Sequence, residues 1–112
     1  MQAVLRIAEL PATALDAAAT FLSEHLPRAR AELASGAEAL ALVFPPAPYD
    51  HASWRKAAVA DLARESTPKR VNAITGEDPA AIDATIAWLA QAPGITGQLL
   101  PVQASNAGIS GN

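Results

Sequence analysis

The apolar positions of the chain alternate between strand-like runs and helical spacing. Apolar-rich stretches at 2–10, 39–44, 70–74 and 98–102 predict four strands. The second of them is apolar at all of its positions, which is typical of a parallel strand covered on both faces. The segments between the strands carry apolar residues at helical spacing, so the predicted order is β-α-β-α-β-α-β.

The first helical segment is the longest, and it has one apolar face. The Thr13 hydroxyl is placed to cap the free N–H groups at its start, and Asp16 puts a carboxylate in the first turn. Pro27 removes a backbone donor, so we expect a kink or a split there, and Gly36 ends the segment as a C-cap. Its leucines share one side at intervals of seven, four and seven residues: Leu15, Leu22, Leu26 and Leu33.

Two further helices separate the remaining strands. After a stiff, proline-rich loop at 45–48, Asp50 or Ser53 is expected to cap the second helix, which reaches about residue 65. Asp78 followed by Pro79 predicts the start of the third helix. The expected buried positions are Ala58, Val59 and Leu62 on the second helix, and Ile82, Ile86 and Leu89 on the third.

These elements predict an α/β fold, namely a small Rossmann-like three-layer domain with a mainly parallel four-stranded sheet and right-handed crossovers. Residues 1–103 form this single domain, and the polar, Gly-rich residues 104–112 are expected to be a flexible C-terminal tail. With 51% hydrophobic but only 4% aromatic residues, the core consists mainly of small aliphatic side chains that each bury little area. An oligomer interface would add the burial that such a core lacks.

Composition and charge narrow the range of functions. The net charge is −3 and the basic residues are scattered, so we expect no nucleic-acid partner. The absence of cysteine excludes disulfides and thiolate chemistry, and two distant histidines without carboxylates at ligand spacing predict no metal site. No apolar run approaches the roughly 18 residues of a membrane span, and no export signal is recognisable. We therefore expect a cytoplasmic protein without a membrane partner.

Three motifs follow one another along the second half of the chain: Lys56-Ala57-Ala58-Val59, Arg70-Val71-Asn72-Ala73-Ile74 and Ile95-Thr96-Gly97-Gln98. In order and spacing they resemble the C-terminal half of the short-chain dehydrogenase/reductase family. The resemblance covers Leu42 to Gln103 well and extends loosely back to Leu15. It implies that the first motif belongs to the helix carrying the family's catalytic Tyr-x-x-x-Lys, with Lys56 at the position of the lysine.

The residues that the family uses for catalysis depart from its pattern. The tyrosine belongs four residues before Lys56, where the chain has Ala52, and Tyr49 lies seven residues before the lysine. A phenol and an ammonium group must converge on one carbonyl, and this spacing does not favour that geometry. Pro45 and Pro46 occupy the place of the family's active-site serine.

The family's cofactor-binding unit has no counterpart in the sequence. That unit would precede the matched region and hold a pyrophosphate at a Gly-rich turn on a helix N-terminus. No glycine lies before Ser35. The comparison with the family therefore implies that the chain binds no NAD(P), and we expect no cofactor.

The resemblance also implies a dimer, because in that family the two long helices flanking the matched strand pair across a twofold axis. Here the equivalent helices span about 13–35 and 53–65, and both are rich in alanine. We therefore hypothesise a non-catalytic homodimeric module that acts through protein interaction or regulation. The candidate interface residues are Leu15, Leu22, Leu26, Ala58 and Leu62.

Two alternatives remain open. The first is a small-ligand binder or enzyme that uses a remodelled pocket formed by Tyr49, Ser53, Lys56 and Gly76. The second is a residual oxidoreductase that borrows its cofactor half from another chain, such as a full-length relative bound through the same helices.

Overall fold

Four strands form a single parallel sheet in a computed structural model that describes residues 1–103. The predicted flexible tail, 104–112, lies outside the described residues. The strands are β1 (Gln2–Arg6), β2 (Ala39–Phe44), β3 (Arg70–Thr75) and β4 (Leu99–Pro101), and their spatial order is β1-β2-β3-β4. Every neighbouring pair is parallel. The predicted α/β fold with a small, Rossmann-like parallel sheet is confirmed.

The helices follow the predicted order, with two additional short turns. A π-helical turn (Phe21–His25) joins α1 to α2, and a 3-10 turn (Tyr49–His51) runs directly into α3. The four α-helices are α1 (Ala14–Thr20), α2 (Leu26–Ala34), α3 (Ala52–Ser66) and α4 (Pro79–Ala90). None of the helices within 1–103 has the length and apolar character required to cross a bilayer.

The long first helix accommodates Pro27 through a π-helical turn, which is wider than an α-helical one. The Leu26 N–H donates to the Phe21 carbonyl five residues earlier, and the backbone at both residues stays right-handed helical. Proline lacks an N–H and its ring would collide with the carbonyl four residues earlier, so a π turn immediately before Pro27 relieves both problems. The chain then reverses at Gly36, whose φ of 108° favours glycine.

The two faces of the sheet are covered by different helices. Leu40, Leu42 and Phe44 of β2 pack in one core cluster with residues of the first helix and of α3. The alternate β2 residues, Ala41 and Val43, pack with residues of α4. Because β2 is apolar on both faces, it must be covered on both, and this gives the predicted three layers.

This layering corrects the expectation of right-handed crossovers throughout. All three connections advance between parallel neighbours in one direction across the sheet. The first two helical connections lie on one face and α4 lies on the other. A helix on the opposite face reverses the hand of its crossover, so the β3-α4-β4 connection has the opposite hand to the other two, against the usual preference.

Two of the predicted helix caps are confirmed, and a third is wrong. The Thr13 hydroxyl accepts from the Asp16 N–H at 3.2 Å, and the Asp78 carboxylate accepts from the Ala81 N–H at 3.0 Å. Neither Asp50 nor Ser53 caps α3, whose preceding residue makes no side-chain cap bond. The 3-10 turn provides a hydrogen-bond acceptor at the start of this helix instead, since the Ala52 N–H donates to the Tyr49 carbonyl.

Asn72 ties the buried strand β3 to the segment that leads into β4. Its side-chain Nδ2 donates to the Ile95 carbonyl at 2.9 Å, and its Oδ1 accepts from the Gln98 N–H at 3.1 Å. Both ends of the buried amide are therefore bonded to backbone. The short fourth strand is held in place by these bonds as well as by its own pairing with β3.

Candidate functional site

The loops after β2 and β3 and the end of β4 enclose two adjoining cavities. The smaller cavity, of about 110 Å³, is lined by the 10–12 segment, the 45–48 loop, His51 and Arg55. The larger, of about 400 Å³, is lined by the turn after β3 and by the residues that follow β4. Pro46 and Ala47 line both cavities. Open parallel sheets bind ligands at this carboxyl end of their strands.

Arg55 is the most unusual side chain at this end of the sheet, because it is charged and yet only 3% exposed. Its Nη1 donates to the Pro45 carbonyl at 2.9 Å and to the Thr75 hydroxyl at 3.3 Å. Its guanidinium carbon lies 4.6 Å from the Phe44 ring centroid and 5.6 Å from that of Trp54. Both distances are within the range of a cation–π contact.

The other two nitrogens of Arg55, Nε and Nη2, are buried and have no hydrogen-bond partner among the described residues. No carboxylate of residues 1–103 lies within ion-pairing distance of the guanidinium. Burial lowers the pKa of Arg55 from its ordinary value, because removal from water disfavours the charged form. The group is nonetheless an arginine, so it remains a cation at physiological pH.

His51 forms the wall of the small cavity beside Arg55. Its Nε2 lies 3.0 Å from the Ala12 carbonyl, and its Nδ1 accepts from the Trp54 indole N–H at 3.4 Å. These two bonds together require the tautomer that carries its proton on Nε2. The buried imidazole links α3 to the segment after β1 and fixes the position of Trp54, whose ring packs on Phe21 and Phe44.

The larger cavity is bordered by acidic groups and by a close backbone approach. Glu77 and Asp78 line it, and Asp78 also caps α4. At Gly76, a Cβ would come within 2.7 Å of the Val102 carbonyl oxygen and 2.8 Å of its side chain. The space that glycine provides is therefore filled by Val102, and Gly76 allows the end of β4 to pack against the turn.

Of the four residues of the predicted pocket, only Gly76 lines either of the two cavities. Tyr49 is 93% exposed, and the side chains of Ser53 and Lys56 are also exposed. Gly76 lines the larger cavity, where Thr75 rather than Lys56 provides a polar side chain. A ligand role for these four residues stays a prediction.

The prediction from the sequence left Arg55 out of the site and did not include His51 among the four pocket residues. A signal was available, because Val59 was predicted to be buried and residues four apart share a helix face. Counting back from Val59 by fours reaches Arg55 and then His51. All three are buried. A charged residue on the buried face of a helix is the pattern that would have identified the site.

The predicted interface residues divide between surface and core. Leu15 is 82% exposed and Leu22 is 53% exposed, whereas Leu26 and Ala58 are half-buried. Leu62 is 3% exposed and belongs to the core beneath α3. A groove of about 230 Å³ runs between the first helix and α3, lined by Ala18, Leu22, Trp54, Ala57, Ala58 and Asp61.

The helix N-termini of this chain do not fit a dinucleotide pyrophosphate. After β1, the Thr13 side chain already accepts from an N–H of the first turn, and Asp16 places a negative charge there. At α4, Asp78 occupies the equivalent position. The residues immediately before α3 are proline-rich and include no glycine. A pyrophosphate needs free N–H groups and positive charge at such an end, and these three ends do not offer both.

Comparisons with known proteins assign the chain to a family. A family model described as SDR-like, short chain dehydrogenase-like protein, matches residues 5–102. Neither the curated proteins nor the solved structures contain a significant match to the chain. The matched range begins within β1 and ends at Val102, so it includes all of the helices within 1–103 and every residue that lines the two cavities except Gln103.

Proposed function

The chain belongs to the short chain dehydrogenase-like family, and from this premise we propose that it is a non-catalytic module that works as a homodimer through protein interaction. The observation that carries this proposal is the exposed apolar side of the long helices. Leu15 and Leu22 project from the first helix beside the alanine-lined groove that separates it from α3. Small residues let helices approach closely, and a twofold axis would cover the same leucines on both copies.

The ionic contacts around the groove support a fixed geometry for the two helices. Arg30 of α2 and Glu65 of α3 form a bidentate pair, with N–O distances of 2.9 Å and 2.7 Å. Asp61, which lines the groove, is paired with Arg64 on its own helix. A second copy docked on this side would therefore contact apolar side chains, and the charged residues beside them are already paired within their own chain.

The non-catalytic part of the proposal is supported by the residues around Lys56. Ala52 stands where a catalytic tyrosine would stand, and it has no ionisable group. Tyr49 lies on the 3-10 turn before α3 and points to solvent. General acid–base catalysis needs the phenol within hydrogen-bond reach of the reacting oxygen and close to the lysine. A cytoplasmic location is part of the same proposal and stays a prediction from the sequence.

The dimer is tested by the molar mass of the protein in solution, measured by light scattering after size-exclusion chromatography. We expect the mass of two chains for the wild type and of one chain for Leu22→Glu, because two charged side chains would be buried near the axis. Trp88→Glu is the matched control. Trp88 is 55% exposed on α4, on the other side of the sheet, so its replacement by glutamate should leave the dimer intact.

The outcomes of this experiment are distinct. A wild-type mass of one chain, or a Leu22→Glu variant that remains a dimer, would overturn the helix-mediated assembly. Leu62→Glu is unsuitable for the test because Leu62 is a core residue, so a loss of assembly would reflect unfolding. The circular dichroism spectrum of Leu22→Glu should match that of the wild type, since an exposed leucine contributes little to folding.

The absence of a nicotinamide cofactor is a separate part of the proposal. Calorimetric titration with NAD⁺, NADH, NADP⁺ and NADPH should give no saturable heat, because the helix ends lack a phosphate cradle. Saturable binding of any of the four would show that a cofactor site has been rebuilt or shared, and the non-catalytic assignment would then fail.

A further inference from the structure

We propose that Arg55 forms the binding site for a small carboxylate at the carboxyl end of the sheet, with Nε and Nη2 each donating to one carboxylate oxygen. This inference does not depend on the dimer or on the absence of catalysis. It rests on a buried cation that lines one small cavity and has two donors without a partner among residues 1–103.

The choice of ligand follows from which nitrogens are free. Nη1 is occupied by the Pro45 carbonyl and the Thr75 hydroxyl, so the guanidinium is held in one orientation. The unpartnered atoms are Nε and Nη2, which lie on the same edge of the guanidinium plane. This edge presents two parallel N–H bonds at the spacing of the two oxygens of a carboxylate.

The energetics also favour an anionic ligand. A buried guanidinium without a counter-ion loses its hydration and gains no ionic partner in return. The cation–π contacts with Phe44 and Trp54 compensate only part of this loss. No acidic side chain of residues 1–103 pairs with Arg55, so a bound anion would supply both the charge and the acceptors that are lacking.

The surroundings restrict the ligand to a small group with an apolar body. Most residues that line the small cavity have apolar side chains, although its surface also includes polar atoms, and the three prolines of the 45–48 loop carry no N–H that could solvate a second charged group. In the adjoining cavity, Glu77 and Asp78 would repel a carboxylate, which fixes the anionic end of the ligand at Arg55. A short aliphatic or aromatic monocarboxylate meets all of these conditions.

The experiment uses sodium propionate and sodium benzoate as probes, with propionamide as the uncharged analogue and sodium chloride as the ionic-strength control. A carboxylate that binds only the folded state should raise the Tm. At about ten times its Kd the rise should be about 5–10 °C for a domain of this size. Propionamide and sodium chloride should give no saturable rise, because neither supplies a bidentate anion.

Two variants one residue apart provide matched controls. Arg55→Met and Lys56→Met remove the same charge from the same helix, but only Arg55 is buried at the cavity. Arg55→Met should abolish the propionate-dependent rise in Tm, and Lys56→Met should retain it. Arg55→Lys should weaken binding by about tenfold or more, because lysine keeps the charge but cannot donate two parallel N–H bonds.

A measurement on the wild type keeps the proposal testable even if Arg55→Met fails to fold. In nitrogen-15 NMR spectra, the Nε–H resonance of Arg55 should move downfield and saturate as propionate is added, as expected for a new charge-assisted hydrogen bond. An unmoved resonance, or a rise in Tm that survives Arg55→Met or requires Lys56, would overturn the assignment. Because these readouts do not measure mass, their failure is distinguishable from failure of the proposed dimer.

Discussion

The two sides of helix α3 differ in kind, although Arg55 on one side and Lys56 on the other are neighbours in the sequence. The side that faces the sheet carries Arg55, Val59 and Leu62, and it continues into His51 of the preceding 3-10 turn; all four residues are buried. The side that faces solvent carries Ser53, Lys56 and Ala57, all of them exposed. Consecutive residues on a helix point about 100° apart, so one position decides whether a cation meets water or the core. Lys56, which the family resemblance places at the position of the catalytic lysine, lies on the outer side, which faces solvent. The buried cation Arg55 lies on the inner side, which faces the sheet.

This difference shows what a motif match can locate. The resemblance places Lys56 to Val59 on one helix, and the structure has these residues within α3. It directs attention to Lys56, the residue that is catalytic in the family, and that side chain is exposed here. The buried charge of this helix is at Arg55, which donates to the Pro45 carbonyl of the proline-rich loop.

The largest expected effect is on stability and separates the two sides of α3 directly. Leu62→Ala removes buried methyl groups from the core under the helix and leaves a cavity, so it should lower the free energy of unfolding by about 2–5 kcal/mol. Lys56→Ala, on the outer side, should change it by less than about 0.5 kcal/mol. Urea denaturation followed by circular dichroism measures both. Equal effects would mean that the two sides do not differ in burial as described.

A second prediction concerns the cost of the buried charge in the absence of any ligand. Arg55→Met keeps a long apolar side chain against Phe44 and Trp54 and removes two unpartnered donors. Replacing buried ionic groups by apolar ones of similar volume is often neutral or stabilising by about 1–4 kcal/mol. We therefore expect urea denaturation to show a free energy of unfolding equal to or above that of the wild type.

The opposite result would be equally informative about Arg55. A loss of more than about 2 kcal/mol would mean that the bonds from Nη1 to the Pro45 carbonyl and to Thr75 outweigh the unpartnered donors. Thr75→Val is the control for that interpretation, because it removes one of the two acceptors and leaves the guanidinium in place. Its hydroxyl makes a 3.3 Å bond to Nη1, so the variant should cost only about 0.5–1.5 kcal/mol.

The strands, the helices and most of their bounds could be predicted from the sequence because they depend on local patterns. A continuous apolar run such as Ala39–Phe44 has few alternatives to a buried strand, and caps such as Thr13 and Asp78 act within one turn. The fourth strand was expected at 98–102, and the bonds from Ala73 to Gln98 and from Val102 to Thr75 span that range.

The elements that could not be predicted depend on contacts between distant segments. The hand of the β3-α4-β4 crossover depends on the face of the sheet that α4 covers, and the apolar run of β2 predicts two covered faces without showing which helix covers each. The π turn before Pro27 is one of several ways to accommodate a proline within a helix. The site at Arg55 depends on the 45–48 loop and on Thr75, which lies 20 residues further along the chain.

The smallest expected effect is on the outer side, at the ion pair between Arg30 and Glu65. The hydrogen bonds from Arg30 lower the pKa of Glu65, so the folded protein holds the carboxylate ionised at a lower pH than the unfolded chain does. The stabilisation is fully present above the ordinary carboxyl pKa and is lost as the pH falls through the lowered pKa. Glu65→Gln should therefore reduce the urea midpoint slightly near neutral pH, and the difference from the wild type should vanish in acid.

The position of this pair predicts its response to salt as well as to pH. Both side chains are about half exposed, so added sodium chloride should screen the attraction and shrink the difference between the wild type and Glu65→Gln. The control is Glu9→Gln, which removes one carboxylate from a described residue outside the four ion pairs within 1–103. If the difference in urea midpoint between the wild type and Glu65→Gln grew in acid or in salt, Glu65 would behave as a buried group. The contrast between the two sides of α3 would then be wrong.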